Sequence, residues 1–184
     1  MNAPEAGPAS PYARARFIHL RDGTEAMIWP LLPTDREALR EQYEHLSASS
    51  KVHRFLAPVP HLGNGMLEHL VGDVDGVDHV ALVLFVFTEE GADAPAGIAR
   101  LARYPGHQRE ADVAVTVLDE WQGRGVASAL LAALMEARPP DVTEIVTEVA
   151  ADNAASLAML RRLGPTELTP DGPGLLHVVV HLAP

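Results

Sequence analysis

The chain has 184 residues, 47% of them hydrophobic, a formal net charge of −11 and no cysteine. That length suits one domain burying roughly 70% of its unfolded surface. The charge disfavours nucleic acid and anionic membrane as partners, and the missing thiols exclude disulfides and thiolate chemistry.

No apolar run reaches the ~20 residues that span a bilayer. The opening residues lack the apolar core of a signal peptide, so the cytoplasm is the expected location. Residues 1–14 mix Pro4, Pro8 and Pro11 with alanine and glycine and read as a disordered tail ahead of one domain over 15–184. Residues 17–20 and 24–31 flank the turn signal Arg21-Asp22-Gly23 and predict two short strands. Thr34, with Glu37 three residues later, predicts a capped helix start. That helix runs to about residue 46 with Leu39, Tyr43 and Leu46 on one face. Residues 47–55 predict a second short helix, 57–65 a loop rich in proline and glycine, and 66–71 a third helix.

Asp73, Asp75 and Asp78 surround Gly76, but the glycine and glutamate of a calcium loop are misplaced, so a solvated turn is expected and no metal. Residues 79–88 are apolar almost without a break and predict a buried strand. A hairpin loop over 89–95, a strand over 96–104 and a turn over 105–109 follow.

The next stretch organises the rest. Residues 110–118 are rich in Val and Thr and predict a strand. Val126, Leu130, Leu131 and Leu134 share one face of a helix over 126–138, which Pro139 and Pro140 stop. Gly123 and Gly125 lie between. A strand that passes through glycines into a helix offers free N–H groups at an end bearing about half a positive charge. Such an end suits phosphate, and Arg124 stands where it could add a side-chain donor. A nucleotide P-loop is absent, and the third glycine and the acidic residue of a dinucleotide fingerprint are missing. Residues 143–149 predict a further strand. Asp152 or Asn153 caps a helix carrying Leu157, Leu160 and Leu163, which Gly164 ends. A hairpin follows Pro165, and residues 175–182 close the sheet.

Gln122-Gly123-Arg124-Gly125-Val126-Ala127 resembles the pyrophosphate loop of the GNAT N-acetyltransferases, in the strand-to-helix setting that the motif requires. The order of elements resembles the same family over nearly the whole chain. The resemblance implies an α/β (α+β) fold: a mixed, mostly antiparallel sheet with flanking helices and a splayed strand pair. It implies acetyl-CoA as the cofactor. Val115, Thr116 and Val117 would lie along the pantetheine arm, and Gln122, Gly123, Arg124, Gly125, Val126, Ala127 and Ser128 at the diphosphate. Residues 153–164 are similar to the family's Asn-x-x-Ser/Ala helix, which places Asn153 and Ser156 at the coenzyme as well. Many members carry a tyrosine on this helix to protonate the departing thiolate; here that position is Leu160, leaving Ser156 or water.

Lys51-Val52-His53-Arg54-Phe55, Asp78-His79-Val80-Ala81-Leu82 and the run from Glu110 through Gly125 resemble bacterial Pat-type protein lysine acetyltransferases. Those carry a glutamate as the proposed base where this chain has Asp112, one methylene shorter; Glu110 is the second candidate. The implied reaction is acetyl transfer to a primary amine, a protein lysine first, a small-molecule amine or antibiotic second. From another class, the chain would be a catalytically weak acyl-CoA-binding sensor. A homodimer is common in this fold.

A lysine-type amine, with a pKa of about 10.4, must lose its proton before it attacks a thioester. A carboxylate at the strand opening can take that proton, and strand N–H groups near Val117 can hold the oxyanion. No cysteine or serine–histidine–aspartate set offers a covalent route, so direct transfer is expected. Histidines 53, 61, 69, 79 and 107 read as surface or core residues, with His53 nearest the acceptor loop. Lys51 is the sequence's one lysine against thirteen arginines, a ratio that biased codon usage or avoidance of self-modification would both produce.

Overall fold

The computed structural model describes residues 15–87 and 93–183. The tail expected over 1–14 and most of the hairpin loop expected over 89–95 lie outside those residues. The elements in order are β1 (Arg16–His19), β2 (Glu25–Pro30), α1 (Arg36–Glu44), α2 (Ala48–Phe55), α3 (Asn64–Gly72), β3 (His79–Phe87) and β4 (Asp93–Arg103). Then come β5 (Glu110–Val117), α4 (Val126–Ala137), β6 (Glu144–Ala150), α5 (Ala154–Leu160), β7 (Thr166–Pro170) and β8 (Leu175–His181).

The strands form one eight-stranded sheet in the order β1-β2-β3-β4-β5-β6-β8-β7. Every neighbouring pair is antiparallel except β5 with β6. Side chains alternate between the faces of a strand, and β3 shows the result. Val80, Leu82, Leu84 and Val86 join α4 and α5 in one core, while Ala81 and Val83 join α1 and α3 in a second. The sheet is therefore covered on both faces, and β5 runs through its middle. No helix of the described residues is long and apolar enough to cross a membrane.

Several local features differ from the sequence expectation. Thr34 caps nothing: residues Pro33–Asp35 form a 3₁₀ turn, and Asp35 Oδ2 accepts the Leu32 N–H at 2.8 Å before α1 begins. β4 starts at Asp93, inside the expected loop. Leu84 pairs with Gly97 but Phe85 pairs with Pro95, so Ala96 is an extra residue. That bulge accommodates a proline that has no N–H to give. β7 was legible only as a hairpin, because four of its five residues are exposed and show no alternation. Asp75 folds its acidic turn by accepting the N–H groups of Val77 and His79 at 2.8 and 2.9 Å.

Gly164 has a different role from the expected helix stop. α5 ends at Leu160 and tightens into a bond from the Leu163 N–H to the Leu160 carbonyl. Gly164 is not left-handed; a Cβ there would stand 2.0 Å from the His181 carbonyl oxygen. Gly164→Ala must push β8 away from the end of α5. Urea titration should show a loss of about 1–3 kcal/mol, the usual cost of overpacking.

Beneath α3 lies a buried cation. Arg100, 6% exposed, donates to the Leu70 carbonyl and to His79 Nε2. Because a guanidinium has no acceptor atom, His79 must accept at Nε2 and carry its proton on Nδ1. Burial, reinforced by the Arg100 charge, holds the His79 pKa below its usual 6.5. The unfolded chain then binds the extra proton first, so this contribution to stability falls as the pH drops below about 6.5. His181 acts oppositely: hydrogen bonding and charge from Glu167, then Glu144, raise its pKa. The clean measurement is the difference between parent and His79→Gln. Thermal melts from pH 7.5 to 5.5 should show a steeper loss in the parent.

Candidate active site

β5 pairs with β4 along its length, from Gly97 with Val117 to Arg103 with Ala111. With β6 it pairs only at Glu110 with Glu144 and Ala111 with Ile145. Past Ala111 the two parallel strands separate. The Leu118 N–H bonds to the Ala96 carbonyl on the β4 side. Alternation along the strand then turns the main-chain groups of Val113, Val115 and Val117 into the opening. Gln122 Nε2 donates to the Val117 carbonyl at 3.3 Å, tying the following loop to the strand end.

That loop turns through Gly123 at φ +75° and Gly125 at φ +101°, backbone that side chains rarely tolerate. Gly125 precedes α4, whose start has no side-chain cap and no acidic residue in its first turn. The first amide bonded back into the helix is Ala129, to the Gly125 carbonyl at 3.0 Å. The N–H groups of Val126, Ala127 and Ser128 therefore point out from the positive end of a helix of 12 residues.

A cavity of about 690 Å³ lies over this helix start and the mouth of the opening. β5 contributes Val115, Thr116 and Val117, and the loop contributes Gln122, Gly123, Gly125, Val126, Ala127 and Ser128. Asn153 and Ser156 face them from α5, where Asn153 Oδ1 also caps the helix by accepting the Ser156 N–H at 3.1 Å. Arg124 is the one expected residue whose side chain is elsewhere. Its Nε pairs with Asp22 Oδ2 at 2.9 Å and its guanidinium stacks on Trp121 at 4.5 Å. The expectation of an Arg124 side-chain donor is corrected accordingly. Arg21 and Arg162 line the cavity instead. They come from the first hairpin and from the turn after α5, so no local pattern marks them. Free amides, two guanidinium groups and an unpaired strand edge fit a diphosphate joined to an extended amide-bearing arm.

A second cavity of about 760 Å³ opens at the other end of the split. Glu110, Asp112 and Ala114 line it from β5, Tyr104 from the turn just after β4, Glu148 from β6 and His177 from β8. The two cavities meet at His53, Arg54, Val115, Asn153, Ser156 and Met159. Both candidate bases are half-buried in the second cavity. Glu110 sits where β5 still pairs with β6 and contacts His107 Nδ1 at 3.3 Å. Asp112 lies two residues further along, beside the split.

Leu160, 2% exposed, forms part of the wall and offers no proton. The Tyr104 hydroxyl donates to the Val146 carbonyl at 3.1 Å. Burial, then the charges of Asp112, Glu148 and Glu110, push its pKa above the ordinary 10, so it stays neutral. Tyr104 and Glu148 carry no sequence signal, because only the split brings them beside Asp112.

α2 closes one side of this junction, and Asp119 holds it there. The carboxylate accepts the Ser47 N–H at 2.9 Å, the Ser47 hydroxyl at 3.0 Å and the Ser50 hydroxyl at 2.9 Å. Partial burial alone would raise the Asp119 pKa, but these hydrogen bonds outweigh it and hold the group below its usual value. Further along α2, His53 Nε2 reaches Asp152 Oδ1 at 3.4 Å, across the coenzyme-side cavity.

A split parallel pair beside an uncapped, glycine-fed helix start is the architecture of a coenzyme-A-dependent acyltransferase. Residues 39–164 match the profile of the Acetyltransferase (GNAT) family. An acetyltransferase of Pseudomonas aeruginosa is 30% identical over 139 residues, which is 73% of this chain and 73% of that one. The acetyltransferase Pat of Mycolicibacterium smegmatis is 33% identical over 149 residues, which is 80% of this chain but only 43% of that one. The solved GNAT domain of the PAT protein from S. lividans superposes with a TM-score of 0.74 at 28% identity, covering 96% of this chain and all of that domain. This chain belongs to the GNAT acetyltransferase family and stands close to its Pat-type members. The family uses acetyl-CoA as co-substrate.

Gly125→Val tests the loop. A β-branched side chain at φ +101° is strained, and its Cβ would stand 3.1 Å from Arg21 Cγ. Calorimetry with acetyl-CoA should give a Kd raised at least ~10-fold, equivalent to about 1.4 kcal/mol.

Proposed function

We propose that this protein transfers acetyl from acetyl-CoA to a primary amine, a protein lysine, by direct attack with Asp112 as the base. The observation that carries the proposal is the meeting of two cavities of opposite character at the split between β5 and β6. One offers free amides with Arg21 and Arg162, and suits the coenzyme. The other offers Glu110, Asp112 and Glu148, and suits a cationic acceptor. The thioester would lie where they join. The ammonium enters from the acidic side and gives its proton to Asp112. The amine then attacks the thioester carbon, with main-chain N–H groups of the β5 edge near the developing oxyanion.

The lysine preference rests on similarity to a Pat acetyltransferase and to the S. lividans PAT domain. The wide acceptor cavity also has room for a side chain presented by a protein surface. Lys51 is poorly placed to be that substrate. Its Nζ donates to the Pro60 carbonyl at 3.1 Å, lies 3.6 Å from Glu44 and sits over the Tyr43 ring. The acceptor therefore belongs to another molecule, working in the cytoplasm. A second reading, an acyl-CoA-binding module with little turnover, is favoured by Leu160 standing in place of a proton donor.

Thiol release measured over a panel of small amines and a lysine-bearing protein separates these readings. Release with the protein supports the proposal, release with small amines alone replaces the acceptor, and coenzyme binding without release favours the module. Asp112→Asn should lower kcat about 10²–10⁴-fold, the usual worth of a positioned base, while calorimetry returns the parent's acetyl-CoA affinity. Unchanged turnover in that variant would remove Asp112 from the role.

A further inference from the structure

Arg54 lies next to the last residue of α2 and faces both cavities at their junction. It also lines a small apolar cavity of about 30 Å³ between α1, α2 and the sheet. Its guanidinium stacks on the Phe55 ring at 4.7 Å. Among the described residues no hydrogen bond or ion pair engages it. Burial lowers its pKa, and the charge of Asp112 offsets part of that loss. An arginine does not deprotonate in a protein, so a cation with its N–H donors unused stands beside the place of the thioester. A half-buried guanidinium whose donors have no hydrogen-bond acceptor suits a site completed by a ligand. Thr116 is a second such group. Its Oγ1 is buried without a hydrogen-bond partner and lines the coenzyme-side and small cavities with Arg54.

We propose that Arg54 is a catalytic residue of the transfer, its N–H groups binding the thioester carbonyl oxygen as that oxygen becomes an oxyanion. The inference rests on the acyl-transfer reading above. The amine lone pair forms the C–N bond at the thioester carbon, and the carbonyl π pair moves to the oxygen beside Arg54. Return of that pair breaks the C–S bond and leaves both electrons on the coenzyme sulfur as thiolate. Asp112 already holds the first proton of the ammonium; the second leaves the tetrahedral nitrogen for the departing thiolate through water, giving the free thiol, and Arg54 keeps its own throughout. Before reaction, the carboxylate of Asp112 partly neutralises the guanidinium. Once Asp112 takes the proton, that neutralisation ends just as negative charge forms on the substrate. Fixed charge at the reacting atoms stabilises a transition state more than a ground state.

The test uses acetyl-CoA labelled with ¹³C at the thioester carbonyl, bound to the parent, Arg54→Ala and Arg54→Lys, and read by isotope-edited infrared spectroscopy. The bound carbonyl band should move to lower wavenumber in the parent and return to its free position in Arg54→Ala, with Arg54→Lys between. With an amine that the parent acetylates, Arg54→Ala should lose about 10²–10³-fold in kcat, the loss seen when one oxyanion donor is removed. Its coenzyme affinity should hold, and added guanidinium at non-denaturing concentration should restore part of the rate. A parent band at the free position overturns the inference without needing any variant to fold. Parental kcat in Arg54→Ala also overturns it. Coenzyme binding with an unshifted carbonyl removes Arg54 alone, whereas absence of coenzyme binding removes the acyl-transfer reading with it.

Discussion

Two residue pairs, Glu110 with Glu144 and Ala111 with Ile145, carry the whole parallel ladder between β5 and β6. Everything functional lies where that ladder stops. Main-chain donors and acceptors in a protein interior need partners, so an open strand edge is stable only where water or a ligand can reach it. The sheet holds the opening by anchoring each strand on its far side, β5 to β4 and β6 to β8. The split is therefore a fixed feature of a covered sheet, framed by antiparallel ladders that do not depend on it.

The elements around the opening are tied to it by polar contacts of long sequence separation. Asp119 leaves the end of β5 and gathers the start of α2, whose far end then presents His53 and Arg54 to the junction. Gln122 binds the last strand carbonyl and sets the start of the glycine turn. The coenzyme-side loop, the acceptor side and α2 thus share one short segment, residues 117–122. Charge divides along the same line. Arg21 and Arg162 lie on one side, Glu110, Asp112 and Glu148 on the other, and Arg54 stands between them. A net charge of −11 is thus not spread evenly over the site: the coenzyme side sets Arg21 and Arg162 against Asp119 and Asp152, while Glu110, Asp112 and Glu148 crowd the acceptor side.

Much of this was legible in the residues alone, and the reason is local. A Val-rich strand, a turn at Gly123 and Gly125 and a helix with Leu130, Leu131 and Leu134 on one face are short-range patterns. Free amides at a helix start follow from helix geometry whatever the rest of the chain does. The buried strand at β3 and a helix cap at Asp152 or Asn153 came the same way, whereas the candidacy of Asp112 came from the resemblance to Pat-type enzymes. The structure departs from the local pattern where that pattern has two physical meanings. Thr34 and Asp35 both suit a helix start, and only the backbone path chose the aspartate. Gly164 suits a helix end, but its missing Cβ answers the approach of the His181 carbonyl. Pro95 suggests a loop, and the bulge at Ala96 lets a strand contain it.

What the sequence determined, then, was the set of elements, the anion-binding turn and the family resemblance, because each depends on neighbours within a few residues. The tertiary structure decided which side chains reach the site. Arg124 turned away to Asp22 and Trp121, while Arg21, Arg162, Tyr104, Glu148 and Arg54 converged from five different parts of the chain. Those placements follow from how far β5 and β6 diverge and from where α2 docks, and both depend on contacts between residues distant in sequence.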